Sequence, residues 1–202
     1  MEHPGIVYKA VEQPKRWLAA LGLLGLRVLA AVSHIILLTL LFPIAVCAAF
    51  VGFFEVLITG SLSPPIHRLM EIWLRWDARA LAWVAGFTDE YPPFEPNPAG
   101  YGCDARVPRP EAQNRWWAAA GVVGGRLITA IPHLLALAFA SVAAILVAWI
   151  GQAAVLLTGS LPAGTRNFLA GTIEWWLRTA SWLLGVTDRY PPFTAWAPPA
   201  PH

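Results

Sequence analysis

The sequence predicts an all-α integral membrane protein built from two tandem copies of one module. Three observations predict this fold: 57% of the 202 residues are hydrophobic, only 13% are charged, and one long segment recurs after 99 residues. Globular domains usually contain about 25% charged residues, so an ordinary water-soluble domain is not expected. The eleven Trp residues suit membrane–water interfaces, where the ring is apolar and the N–H is hydrated.

The repeat divides the chain into modules. Residues 16–94 align with residues 115–193 without a gap, and about 29 of the 79 aligned positions are identical. Such internal repetition indicates two copies of one structural unit. We therefore expect an N-terminal segment (1–15), module 1 (16–94), a linker (95–114), module 2 (115–194) and a C-terminal tail (195–202).

Each module begins with a long apolar run. The run from Leu18 to Ile58 would measure roughly 60 Å as one helix, about twice the hydrocarbon thickness of a bilayer. Ser33 is a favourable N-cap, and the matching Pro132 is a favourable helix-start residue. The sequence therefore predicts a transmembrane helix over 34–58, preceded by a juxtamembrane helix over 16–32.

A second, amphipathic helix follows in each module, over about 66–87 and 165–186. Arg and small residues fall on one side of it, and Trp residues on the other. Such a helix either lies in the membrane interface or crosses with its polar side turned into protein. Lys and Arg precede both modules, and the positive-inside rule then places the N-terminus and the linker in the cytoplasm. If both segments lie on one side, each module crosses the membrane an even number of times. The charges therefore favour a transmembrane helix hairpin per module, with about four membrane-embedded helices in all.

The repeated pattern resembles a known family. An Arg, a His that opens a long apolar helix, a Thr-Gly turn and an Arg- and Trp-bearing helix precede Thr-Asp-x-Tyr-Pro-Pro-Phe, at 88–94 and again at 187–193. This order resembles a bacterial family of small membrane domains of unknown function. The resemblance implies a membrane domain with no established activity, here doubled, in the bacterial cytoplasmic (inner) membrane as a multi-pass protein.

An Arg and a His share one face of the first helix. They are seven residues apart in both copies, as Arg27 with His34 and as Arg126 with His133. Small residues on this face predict close packing against protein. Equal spacing about the turn predicts that each His lies near an Asp and a Tyr of its own module, namely Asp89 and Tyr91 or Asp188 and Tyr190. A structural hydrogen bond is the favoured reading, and lipid or partner contact, or proton or metal chemistry, are the alternatives.

Three further features are candidate contacts. Arg79 and Arg178 fall near the middle of the second helices, where a charge should be paired inside the protein or should contact anionic lipid headgroups. Glu55 should form a local ion pair with His67 or Arg68 across the Thr-Gly turn. The rigid Tyr-Pro-Pro-Phe segments place an aromatic pair at the membrane edge, as an anchor or as a docking surface for a partner. These aromatic residues are Tyr91, Phe94, Tyr190 and Phe193.

The sequence contains no pattern that predicts catalysis. We find no nucleophile–base signature, phosphate-binding loop or zinc-ligand spacing, and expect no enzyme activity, metal or cofactor. A net charge of +2 gives no basic field for nucleic acid. We expect a non-enzymatic accessory, scaffold or assembly subunit of a larger membrane complex, with other membrane subunits and lipids as partners. The alternative is a small lipid- or solute-binding carrier with a site between the modules.

Overall fold

The computed structural model describes residues 3–9, 11–98 and 100–195, and the chain is mostly helical. The elements of module 1 are helices α1 (Arg16–Leu23), α2 (Leu26–Ala30), α3 (Val32–Thr59) and α4 (Pro64–Val84). Those of module 2 are α5 (Arg115–Val122), α6 (Gly125–Thr158) and α7 (Ala163–Leu183). Strands β1 (Gly5–Tyr8) and β2 (Cys103–Arg106) lie outside the repeated segments. The predicted C-terminal tail lies outside the described residues apart from Ala195.

Each module contains the predicted helix hairpin, with α3 packed on α4 and α6 packed on α7. Gly60 and Gly159 end α3 and α6 in the left-handed conformation that a glycine adopts without strain. The juxtamembrane helix is broken at Gly25, which separates α1 from α2. In module 2 the expected division at Pro132 is absent, because α6 runs through that residue.

Two helices, rather than the predicted four, are long and apolar enough to cross a membrane. Among the described residues these are α3 and α6, with mean hydropathies of 2.7 and 2.5. The second helices, α4 and α7, carry charges along their length and are largely buried within the protein. Most of their Trp residues are buried too, so these rings fill the core and do not mark a membrane interface.

The short strands are a feature that the all-α prediction missed. β1 and β2 pair antiparallel, with Ile6 opposite Ala105, and they pack on α7 and α4 respectively. On α4, Trp73 and Trp76 face α3 with their indole N–H groups, whereas Arg75 binds Asp104 of β2. The helix α4 therefore lies between the apolar α3 and the strand pair.

The two modules pack antiparallel about a pseudo-two-fold axis. The first helix of each module lies along the C-terminal end of the other module's long helix, α1 on α6 and α5 on α3. The backbone N–H groups of Lys15 and Asn114, at the starts of the modules, donate to the carboxylates of Asp89 and Asp188, which follow α4 and α7. The two modules therefore begin at opposite ends of the helix layer. That the N-terminus and the linker lie on the cytoplasmic side of a membrane stays a prediction.

Candidate functional site

The modules interlock through glycines that accept side chains from the other copy. Gln152 of α6 packs against Gly22 and Gly86 of module 1, so closely that a Cβ atom at either glycine would overlap it. Its counterpart, Phe53 of α3, packs in the same way against Gly121 and Gly185 of module 2. These reciprocal contacts fix the antiparallel arrangement, and they explain why the four glycines recur at the same offset.

A buried arginine ties the end of each second helix to the start of its own module. Arg126 donates to the carbonyls of Trp117, Trp182 and Thr187 and to the Asp188 carboxylate, at 2.6–3.0 Å. Arg27 makes the matching contacts in module 1, and each guanidinium also lies over a Trp ring. Each guanidinium nitrogen of both residues therefore donates at least one hydrogen bond within the protein, and the predicted lipid or partner contact of Arg27 and Arg126 stays a prediction.

Each buried histidine has a tryptophan as its hydrogen-bond partner, and not the predicted aspartate. The indole N–H of Trp76 donates to Nδ1 of His34 at 3.0 Å, and Trp175 does the same for His133. Asp89 and Asp188 do not bind the histidines because they form ion pairs with Arg27 and Arg126. The histidines and their tryptophans thus act as matched structural pairs in the two modules.

The Tyr-Pro-Pro-Phe segments close over the histidines. Phe94 stacks on His34 with ring centroids 4.2 Å apart, and Phe193 stacks on His133 at 3.8 Å. The Tyr91 hydroxyl donates to the Ala30 carbonyl, and Tyr190 bonds Thr129 in the same way. The predicted contact between His and Tyr exists as a ring contact in both copies, at 4.9 and 4.8 Å.

The remaining candidate charges serve local contacts. Arg79 is fully buried and donates to the carbonyls of Arg75 and Pro96 of its own module and linker, whereas Arg178 donates to Pro4 and binds Glu174 at 2.6 Å. The predicted contact of Glu55 with His67 or Arg68 is replaced by a bond from the Ser63 N–H. His67 lies beside Glu71 instead, and burial lowers the pKa of His67.

A large cavity lies between the two modules. Its volume is about 470 Å³, within the range of roughly 300–1,000 Å³ that is usual for sites of small molecules. The walls come from α1, α2 and α4 of module 1 and from α6 and α7 of module 2. Four exposed apolar side chains, on α2, α4 and α6, lie around its opening: Val28, Leu81, Ile145 and Trp149. The cavity thus opens on the apolar surface of the protein.

The cavity exists because the two copies differ at a few positions. Ser141 and Thr172 line it, and their counterparts in the other copy are Phe42 and Trp73. In that copy the two large rings pack together, with centroids 5.3 Å apart, and fill the equivalent volume. The smaller side chains of Ser141 and Thr172 therefore leave space at this position of module 2.

A single acidic residue lies in this largely apolar cavity. Asp77 accepts a hydrogen bond from the indole N–H of Trp176 at 2.6 Å, and no cation lies within ion-pair distance of it among the described residues. Its burial raises the pKa of Asp77 to about 6. An ionised carboxylate in an apolar cavity lowers the stability of the fold unless a partner balances its charge. A group with a shifted pKa in a cavity is therefore a candidate for a functional role.

The sequence offered a ligand site between the modules as an alternative, but the residues that form it were not predicted, although the sequence holds two signals of them. Asp77 falls in the apolar sector of an amphipathic helix, and the residues that open the cavity are positions where the repeat is broken. The residues that the two copies share form the structural contacts, whereas this cavity is lined partly by positions where the copies differ. As to metals, no cluster of three or more His, Cys, Asp or Glu side chains suited to a metal occurs in the part of the chain that the structure describes.

The fold and the cavity define a class of protein: a tandem pair of helix hairpins with two helices apolar enough to cross a membrane. The sequence matches the domain of unknown function DUF4389 twice, at residues 23–95 and 122–195. The chain therefore belongs to this family, and the match confirms the tandem duplication of a domain of unknown function. No curated protein and no solved structure matches the sequence.

Proposed function

We propose that the protein is a membrane-bound, non-enzymatic carrier that holds a lipid-like molecule in the cavity between its modules. The observation that supports this most directly is the cavity itself, which is large, mostly apolar and open on the apolar surface. A ligand with a hydrocarbon chain could enter such a site from the membrane without passing through water. A few polar groups inside it would fix the orientation of the ligand, as is usual for small-molecule sites.

The distribution of surface residues supports membrane attachment by one side. The helices α3 and α6 expose apolar side chains along most of their length. The segments that pack on the other side of α4 and α7 expose charged residues, among them Lys9, Glu12, Glu95 and Arg109. We propose that α3 and α6 lie in the hydrocarbon layer and that the strand pair lies in water.

The ion pairs of the strand layer favour helices that lie along the membrane over helices that cross it. Arg75, at the middle of α4, binds Asp104 of β2. The helix α4 packs alongside α3 in the hairpin, so it would cross the bilayer together with α3. The ion pair of Arg75 with Asp104 would then lie near the middle of the bilayer, where charges are energetically expensive. The four-helix crossing arrangement predicted from the sequence would then need a protein partner to cover the strand layer.

The accessory-subunit function stays a prediction, and the orientation of the helices bears on it. A chain that lies along the membrane can act alone as a carrier, because its charged side is hydrated. A chain that crosses the membrane needs a partner against this same side. Purification in mild detergent followed by mass spectrometry of stably bound proteins therefore tests the accessory-subunit alternative.

The carrier proposal is tested by filling the cavity with the side chains of the other copy. Ser141→Phe and Thr172→Trp each restore the residue that fills the equivalent volume in module 1. Val142→Phe is the matched control, because Val142 is the exposed neighbour of Ser141 and does not line the cavity. Native mass spectrometry of protein extracted from cell membranes measures the bound lipid.

We expect about one retained lipid per chain in the wild type and in Val142→Phe, and little in the two filled variants. Thermal unfolding checks that the filled variants still fold. Retention of the same lipid at the same occupancy in all four folded proteins would contradict the proposal, because the lipid would then bind elsewhere.

A further inference from the structure

The cavity holds a negative charge that no residue in the described part of the chain balances. Of the two charged residues in its lining, Arg27 is bound to Asp89 and to backbone carbonyls, whereas Asp77 has only the indole N–H of Trp176. At the position equivalent to Asp77 the other copy carries that same Trp176, so the carboxylate belongs to this site alone.

We propose that the ligand is an amphiphile with a hydrocarbon chain and a protonated amine head, and that the amine binds Asp77. This inference rests on the proposed function, because it assigns the head group of the molecule held in the same cavity. An ammonium group donates to the free carboxylate oxygen and balances its charge, which is the strong form of hydrogen bond. The cavity wall along α6 is lined by the small residues Ala144 and Ala148, which leave room for the chain beside the helix.

Other head groups fit the site less well. A carboxylate or phosphate head would bring a second negative charge beside Asp77, with no free cation in the described lining to offset it. A hydroxyl head can donate one hydrogen bond but leaves the charge of Asp77 unbalanced in an apolar surrounding. The amine is therefore the head group for which the charge of the site is complementary.

Three probes with the same chain and different heads test the assignment: dodecylammonium, 1-dodecanol and dodecanoate. Binding is measured by titration calorimetry at pH 7.5 on the full chain in phosphatidylcholine nanodiscs, with empty nanodiscs subtracted. We expect dodecylammonium to bind about tenfold more tightly than dodecanol, and dodecanoate to bind most weakly. Asp77→Asn should weaken dodecylammonium about tenfold and leave dodecanol unchanged, which also shows that the cavity is intact. Glu95→Gln, which removes an exposed carboxylate outside the cavity, should change none of the three.

The outcomes separate this inference from the proposed function. If the wild type binds the three probes equally, or if Asp77→Asn keeps the wild-type preference, the amine assignment is wrong. The carrier proposal would survive that result provided that Thr172→Trp abolished binding of all three probes. If Thr172→Trp left the binding of every probe unchanged, the cavity would not be the site and both proposals would fail.

Discussion

Replacing Arg126 with Met should destabilise the protein strongly, because this side chain joins three parts of module 2. It donates to backbone carbonyls at Trp117, Trp182 and Thr187 and forms an ion pair with Asp188. Met has a similar length and no donors, so the change removes these bonds with little loss of apolar packing. The side chain of Arg126 is only 3% exposed, so water cannot take over its role as a donor.

The expected loss follows from the surroundings of the pair. Removing one partner of a buried ion pair typically costs about 3–5 kcal/mol, since the other charge is left without compensation. The Asp188 side chain is 20% exposed, which lets water reach it and places the cost near the lower end, at about 3 kcal/mol. Arg68→Met is the control, because Arg68 is 48% exposed and its contact with Glu71 is long, at 3.9 Å. Surface pairs of this kind contribute less than about 1 kcal/mol.

Equilibrium unfolding in mild detergent with added denaturant, followed by Trp fluorescence, measures both variants. Arg27→Met should resemble Arg126→Met, because it makes the same set of contacts in module 1. If Arg126→Met lies within about 1 kcal/mol of the wild type, the arginine does not hold the end of α7 in place. The structural reading of both arginines would then be wrong.

Three further predictions concern the histidines, Asp77 and the orientation of the helices. His34→Leu and His133→Leu should each lower the free energy of unfolding by roughly 1–3 kcal/mol, because each leaves an indole N–H unpaired. The two losses should be nearly additive in the double variant, since the sites are in separate modules. A strongly non-additive loss in the same unfolding assay would contradict separate sites. Because burial raises the pKa of Asp77 from 3.8 to about 6, the ligand-free fold loses stability as the pH rises through this range. Asp77→Asn should remove that loss and gain up to about 3 kcal/mol at pH 7.5. Equal pH profiles of thermal unfolding for the two proteins would refute this. If α3 and α6 lie along the membrane, single cysteines at Ser63, Ala163 and Pro108 should all react with a membrane-impermeant maleimide from the same side. Labelling of Ser63 and Ala163 from opposite sides would instead show that the antiparallel helices cross the bilayer.

The sequence predicted local features of the fold well, and it predicted long-range ones less well. The offset of 99 residues and the turn glycines predicted two hairpins, because each hairpin forms from neighbouring segments. The antiparallel packing depends on contacts such as that of Gln152 with Gly22, which no local pattern reveals. The short strands were missed because each forms only against the other, across the pseudo-two-fold axis.

A site between the modules was offered as an alternative, but the residues predicted from the sequence are the structural ones around it. The recurrence of Arg27 and His34 identified buried polar residues, but spacing about the turn could not show which partner each one binds. Asp89 was expected to lie beside His34, but it forms an ion pair with Arg27 instead. A charge-assisted hydrogen bond between arginine and carboxylate is stronger than one to a neutral histidine. The cavity depends on differences in side-chain size between two folded copies, such as Thr172 against Trp73, and its volume exists only once both modules have packed.

Photocrosslinking tests the central claim most directly, namely that the ligand lies in the cavity between the modules. A dodecylamine with a diazirine in its chain is bound to the wild-type protein in nanodiscs, and the labelled residues are located by peptide mass spectrometry. The equivalent face of α3, residues 45–53, serves as the internal control, because it has the same position in the other module. We predict labels on α6 within residues 144–152 and on residues 81–85 at the end of α4, with few on the control face. Equal labelling of α3 and α6 would show that the probe merely coats the apolar surface, and it would contradict the account.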